Sequence, residues 1–277
     1  MATIGRRNIL EVVKIVDFGV YLDGDQLDEI LLPKRYVPKD CQVGDQVDVF
    51  IYLDSEDKLI ATTLNPKAMV GEVAKLKVVA VSPVGAFLDW GLPKDLLVPF
   101  GEQHEKMEEG RSYNVFVYQH QDTHRIAASS KLNRYVGKKE HDYKRGDQVE
   151  LFVTERTDIG YSAVIDNLFW GVLFESDLYR PLRRGQKIGG YIKRVREDGK
   201  IDLSLQKVGY EKVDDLSRRV MNVLRAEGGF LALSDKSPAQ AIHDKFGVSK
   251  NAYKMTIGAL YKQRKITIDR EGIKLVN

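Results

Sequence analysis

The chain has 277 residues, enough for two to four domains, and its 43% hydrophobic content is ordinary for a protein with packed cores. Its longest stretch without a formal charge, residues 78–88, is too short for a membrane-spanning helix and is broken by Pro83 and Gly85; the first ten residues lack the apolar core of a secretory signal. A single cysteine, Cys41, excludes an internal disulfide and a cysteine-built zinc site, so a reducing, cytoplasmic location is expected, with no cofactor.

The net charge of +3 is unevenly shared. Residues 1–66 hold 7 basic and 12 acidic side chains (net −5), residues 67–140 hold 11 and 9 (+2), residues 141–212 hold 13 and 12 (+1), and residues 213–277 hold 12 and 7 (+5). A polyanionic partner is therefore attracted mainly to the last two-thirds of the chain.

Short alternating strands separated by bends dominate the first three-quarters, and three glycines carry a common ruler. Counted from Gly19, Gly85 and Gly160, position +14 is Pro33, Pro99 and Phe174, position +25 is Gly44, Gly110 and Gly185, and positions +40 and +41 are Leu59-Ile60, Arg125-Ile126 and Lys200-Ile201. No gap is needed inside a repeat, while the intervals between the glycines are 66 and 75 residues. The length variation therefore falls between repeats, as expected for independent five-stranded barrels joined by connectors.

The first barrel is expected within residues 1–66, with Val12, Ile15, Val20, Leu22, Leu31, Val47, Val49 and Ile51 as its core. Phe18 and Tyr21 flank the bend at Gly19, where each serves either as a plate for a nucleobase or as packing. With Leu59 at +40 and a net charge of −5, this barrel reads as a weak binder or scaffold. The second, residues 67–135, reads as the better equipped: Phe87 repeats the position of Tyr21, Trp90 lies close by, and Arg125 and Lys131 supply cations. Residues 133–142 read as a charged hinge. The third barrel, residues 143–210, offers Tyr161, Phe174, Arg194, Arg196 and Lys200, with Arg180, Arg183 and Arg184 nearby; Phe169 and Trp170 either replace the missing plate or pack against a neighbour.

From Val213 the apolar period becomes helical. Leu216, Val220, Val223 and Leu224 share a face after a cap at Asp214-Asp215, Ser237-Pro238-Ala239-Gln240 reads as a capping box with proline first in its helix, and Ser249 caps a third helix to about Gln263. A hairpin of 266–268 and 273–276 follows. Helix, helix, turn, helix, hairpin is the winged-helix order, here expected over residues 213–277, with Lys250, Asn251 and Lys254 on the helix that faces duplex nucleic acid where the fold reads a groove. The fold class expected is mainly β with an α/β tail: three tandem five-stranded OB-fold barrels, then a winged helix.

The segments Phe18-Gly19-Val20-Tyr21-Leu22, Gly85-Ala86-Phe87-Leu88, Arg125-Ile126-Ala127-Ala128-Ser129 and Lys200-Ile201-Asp202-Leu203-Ser204 resemble the S1 RNA-binding domain of the OB-fold class. Typical S1 domains place aromatics just before and two after the bend glycine, a histidine at +14 and an arginine at +40. This chain keeps both aromatics in the first repeat alone, the arginine in the second alone, and has no histidine at +14. Three S1-like barrels and a winged helix in a chain of this length are similar to the bacterial conserved virulence factor B family. That resemblance implies RNA binding and post-transcriptional control of gene expression, without enzymatic activity.

The sequence holds no phosphate-binding GxxxxGK[ST] and no GxGxxG. His120, Asp122 and His124 fall on a predicted hairpin turn and read as a solvated loop rather than a metal site. Single-stranded RNA is the expected partner, with no membrane association. The competing readings are an adaptor that docks on the ribosome or RNA polymerase and a winged-helix regulator that binds duplex.

Overall fold

A computed structural model describes residues 1–178, 181–206 and 211–276, the segment 211–215 by its backbone. Arg180 and the expected end of the third barrel near Val208 lie outside the described residues. The chain divides into two compact units, 1–136 and 137–277.

The first unit contains two barrels of like topology. Strands β1 (Arg7–Val16), β2 (Gly19–Asp23), β3 (Glu29–Pro33), β4 (Gln46–Leu53) and β5 (Leu59–Thr62) close in the order β1-β2-β3-β5-β4. Strands β6 (Val73–Ser82), β7 (Gly85–Asp89), β8 (Leu96–Pro99), β9 (Ser112–Gln119) and β10 (Ile126–Ser129) repeat the sequence of pairings, with β8 and β10 side by side completing the ring. In the second unit β11 (Gln148–Thr157), β12 (Gly160–Ile165), β13 (Phe169–Phe174), β14 (Lys187–Val195) and β15 (Ile201–Ser204) close a third barrel. Helices α1 (Glu211–Ala226), α2 (Ala239–Phe246) and α3 (Lys250–Lys262) and the small sheet of β16 (Phe230–Leu231), β17 (Ile266–Ile268) and β18 (Ile273–Leu275) follow as a winged helix.

The ruler has a geometric meaning. Position +14 is the residue paired with the bend glycine across the hairpin: Gly19 with Pro33, Gly85 with Pro99, Gly160 with Phe174. At each glycine the neighbouring strand comes so close that an added Cβ would lie 2.2, 2.2 or 2.0 Å from a carbonyl oxygen, of Leu32, Val98 or Leu173. No side chain fits there. The +25 glycines have φ of +96°, +82° and +82°, a conformation that favours glycine. Their amides donate to the carbonyls of Val12, Val78 and Val153, each seven residues before its bend glycine and each at the start of a register shift in the first strand. That bulge lets one long strand turn from one partner to the next, which a five-stranded barrel requires.

Register also corrects the expected core. Val20 faces Leu32 and Leu22 faces Ile30, so these four are buried, while Leu31 pairs with Tyr21 on the other face and is half-buried. Ile15 lies in the part of β1 that pairs with β2 only, and it is exposed. In the winged helix, the backbone of α1 already runs helically through Asp214-Asp215, where the sequence placed its start. Ser237 accepts from the Ser234 amide instead of capping α2, whose N-cap is Pro238. Ser249 does cap α3, accepting from the Ala252 amide at 3.2 Å. Among the described residues no helix is long and apolar enough to cross a membrane.

Candidate nucleic-acid interface

The bend before β2, β7 and β12 carries an exposed apolar residue in every barrel: Phe18, Val84 and Ile159. Only the first is aromatic. Phe18 is 58% exposed, and the half-buried Tyr21 meets it edge-on with ring centroids 6.4 Å apart. The Lys14 Nζ sits 5.9 Å from the Tyr21 ring centre, and the Arg35 guanidinium 4.7 Å from that of Tyr36. An open ring offers a stacking plate, and the Lys14 ammonium over the adjoining Tyr21 ring offers a phosphate contact. The barrel read as scaffold is the one whose plate stands open. Lys14 and Arg35 escaped the sequence reading because neither occupies a ruler position; Lys14 meets Tyr21 through the β1–β2 pairing, and Arg35 lies next to Tyr36 in a 3-10 turn.

The second barrel loses most of its expected equipment. Trp90 is only 2% exposed: it packs edge-on against Phe50 of the first barrel at 5.8 Å, and its indole N–H donates to the Lys94 carbonyl at 2.5 Å. It joins two cores and is no plate for a base. Arg125 reaches across to Asp57 on the β4–β5 turn, donating through Nε at 3.1 Å and through Nη2 in a shorter bond, and Lys94 also approaches Asp57 at 3.8 Å. Lys131 Nζ donates to the Gly101 carbonyl at 2.7 Å. Phe87 remains, half-buried opposite Leu97.

The Arg125 side chain lowers the Asp57 carboxyl below the ordinary carboxylate range, first through its hydrogen bond and then through its charge. A folded-state value lower than the unfolded one contributes stability above the unfolded pKa, and that contribution disappears as pH falls through the folded value. We therefore expect Asp57→Asn to make the first unit less sensitive to acid below about pH 4, read as a flatter dependence of the urea midpoint on pH.

In the third barrel Tyr161, one residue after its glycine, points inward opposite Leu173 and is buried, so it is core. Phe174, paired with Gly160, is half-buried, with Lys193 Nζ 5.8 Å and the Arg196 guanidinium 5.7 Å from its ring centre. Both cations are partnered: Arg196 with Asp202 at 2.6 Å, Lys193 with the buried Asp177 at 2.5 Å. Arg194 is exposed, and Lys200 pairs with Asp198 at 3.1 Å. Phe169 is buried against His141 and Tyr143, which settles it as packing. Among the described residues no group of histidine, cysteine and carboxylate side chains is placed to hold a metal ion.

The winged helix meets this barrel. Asn251, in the first turn of α3, donates to Asp177 Oδ1 at 2.9 Å, beside the 3-10 turn Glu175–Asp177. Groove-reading helices of this type use their N-terminal residues on base edges. Here that end, with half-buried Lys250 and Asn251, is packed on a barrel, while Lys254 is exposed further along.

Comparison with known proteins agrees with this architecture. The S1 domain model matches residues 4–64 and 70–130, and the CvfB-like winged helix domain model matches residues 218–275. The uncharacterized protein YitL of Bacillus subtilis is 27% identical over 95% of this chain and 90% of its own length. Conserved virulence factor B of Staphylococcus saprophyticus is 25% identical over 98% of this chain and 94% of its own. A crystal structure described as a multidomain protein with nucleic acid binding domains, from Streptococcus pneumoniae, is 24% identical over 99% of this chain and 98% of that one, with a TM-score of 0.41. Barrels matched by the S1 domain model, a C-terminal winged helix of the CvfB-like type and near full-length similarity to conserved virulence factor B place this chain in the conserved virulence factor B family.

Proposed function

We propose that this protein is a non-enzymatic RNA-binding protein that holds single-stranded RNA on its S1 barrels and acts in post-transcriptional gene regulation. The observation that carries the reading is the open Phe18 ring, edge-on to Tyr21, whose own ring lies beside the Lys14 ammonium. A base stacks on such a ring whatever its identity, since every base has a π-face, and the neighbouring cation meets the phosphate. One plate of this kind binds weakly, so affinity is built from several barrels on one strand, with Phe87 and the Phe174 cluster as further contact points. The free Cys41 fits a reducing, cytoplasmic setting. Duplex reading by α3 is disfavoured by the packing of its first turn on Asp177.

Fluorescence anisotropy of labelled single-stranded RNA, single-stranded DNA and duplex DNA at 50 and 200 mM salt, roughly the range over which phosphate contacts are lost, tests the proposal. The expected result is preference for single-stranded RNA and a steep fall in affinity with salt. Preference for duplex, or no binding to any probe, would reject it.

A further inference from the structure

One face of α3 continues past the turn that docks on the third barrel, and it is uncovered. At 100° per residue, Asn251, Lys254, Met255, Gly258, Tyr261 and Lys262 lie within about a third of the helix circumference, opposite the buried Tyr253, Thr256, Ile257 and Leu260. Met255 is 62% and Tyr261 55% exposed, and Lys254 and Lys262 are exposed beside them. Between these apolar side chains stands Gly258, in mid-helix. Glycine there destabilises a helix relative to alanine. Nothing within the chain requires it: an added Cβ would meet no atom within 4 Å beyond its chain neighbours and its own helix backbone, and the backbone does not have a positive φ. A glycine that the protein's own packing does not need, centred in an exposed apolar face, leaves room for another backbone to approach.

We propose that this face is a docking surface for an acidic amphipathic helix of a partner protein. Its composition points to protein: methionine and tyrosine are enriched at protein interfaces, and a helix packs at a short interaxial distance where the facing residue is small. The charge specifies the partner's sign. Helix α3 carries three lysines and no acidic residue, and residues 213–277 hold 12 basic and 7 acidic side chains. Carboxylates flanking an apolar stripe would meet Lys254 and Lys262 while the stripe covers Met255, Gly258 and Tyr261. The site is separate from the S1 faces, so it stands whether or not those bind RNA.

The test uses the full chain and a fluorescein-labelled helical peptide with a leucine stripe flanked by glutamates, its counterpart with glutamine at each glutamate, and single-stranded RNA. The glutamate peptide is expected to bind about tenfold tighter than the glutamine one. Gly258→Ala is expected to raise the Tm by roughly 2–4 °C, because the helix gains alanine's propensity, and yet to weaken the glutamate peptide about tenfold. Met255→Ala with Tyr261→Ala is expected to weaken it at least as much. RNA affinity should stay unchanged in all of these variants. Absence of peptide binding, or peptide binding indifferent to the substitutions, would overturn the proposal. Loss of RNA affinity with peptide binding retained would also overturn it, by assigning the face to nucleic acid.

Discussion

Replacing Phe18 with alanine is expected to lower the affinity of the full chain for single-stranded RNA by about tenfold, the equivalent of one base stack at the lower end of its usual worth of about 1–3 kcal/mol. The ring is 58% exposed and meets the chain mainly through an edge contact with Tyr21, so the substitution removes a plate without opening a core. Circular dichroism and the urea midpoint should therefore be unchanged. The paired substitution Phe87→Ala with Arg125→Ala, which the sequence singled out, is expected to have the smaller effect on binding, because Arg125 already bonds Asp57 and Phe87 is half-buried. Its main consequence should be structural, at the Arg125–Asp57 bridge. Anisotropy on the same RNA at fixed salt decides the ranking; equal affinity of Phe18→Ala and the unmodified chain would remove the first barrel's face from the binding mechanism.

Trp90→Ala is expected to have the largest effect on stability, about 3–5 kcal/mol, in line with other buried tryptophans cut to alanine. Trp90 belongs to the core that also contains Phe50 and Tyr52 of β4, so its loss leaves a cavity that reaches into the first barrel's wall and removes the hydrogen bond to the Lys94 carbonyl. Chemical denaturation should show a large drop in the midpoint of the first unit. Below that new midpoint, RNA affinity should be close to that of the unmodified chain, since Trp90 offers no surface to a base. An affinity loss at full folding with an unchanged midpoint would return Trp90 to the binding face.

The repeat was legible because its marks are backbone requirements: a bend glycine pressed against a carbonyl oxygen, a partner at +14 fixed by hairpin register, and a glycine at +25 with positive φ. Such demands keep glycine at the bend and at +25 in all three repeats, at the same spacing. The third helix was legible for the same reason, through the local bond from the Ala252 amide to Ser249. The side chains of the site obey no local rule. Trp90 and Tyr161 are aromatic and near a bend, as Phe18 is, but strand phase turns Tyr161 inward and the neighbouring barrel covers Trp90. Arg125 and Asn251 look like free polar groups until partners 68 and 74 residues away in sequence, Asp57 and Asp177, are brought beside them.

Sequence alone thus determined the number and kind of modules, their strand spacing and the winged helix at the end, because hydrogen-bond geometry and backbone conformation act over a few residues and are written locally. Only the tertiary structure decided which aromatic rings stay open, which cations are already paired, and that the first turn of α3 rests on a barrel while the rest of its face, around Gly258, is exposed. Exposure and pairing depend on what the distant chain places opposite a side chain, and neither composition nor spacing records that.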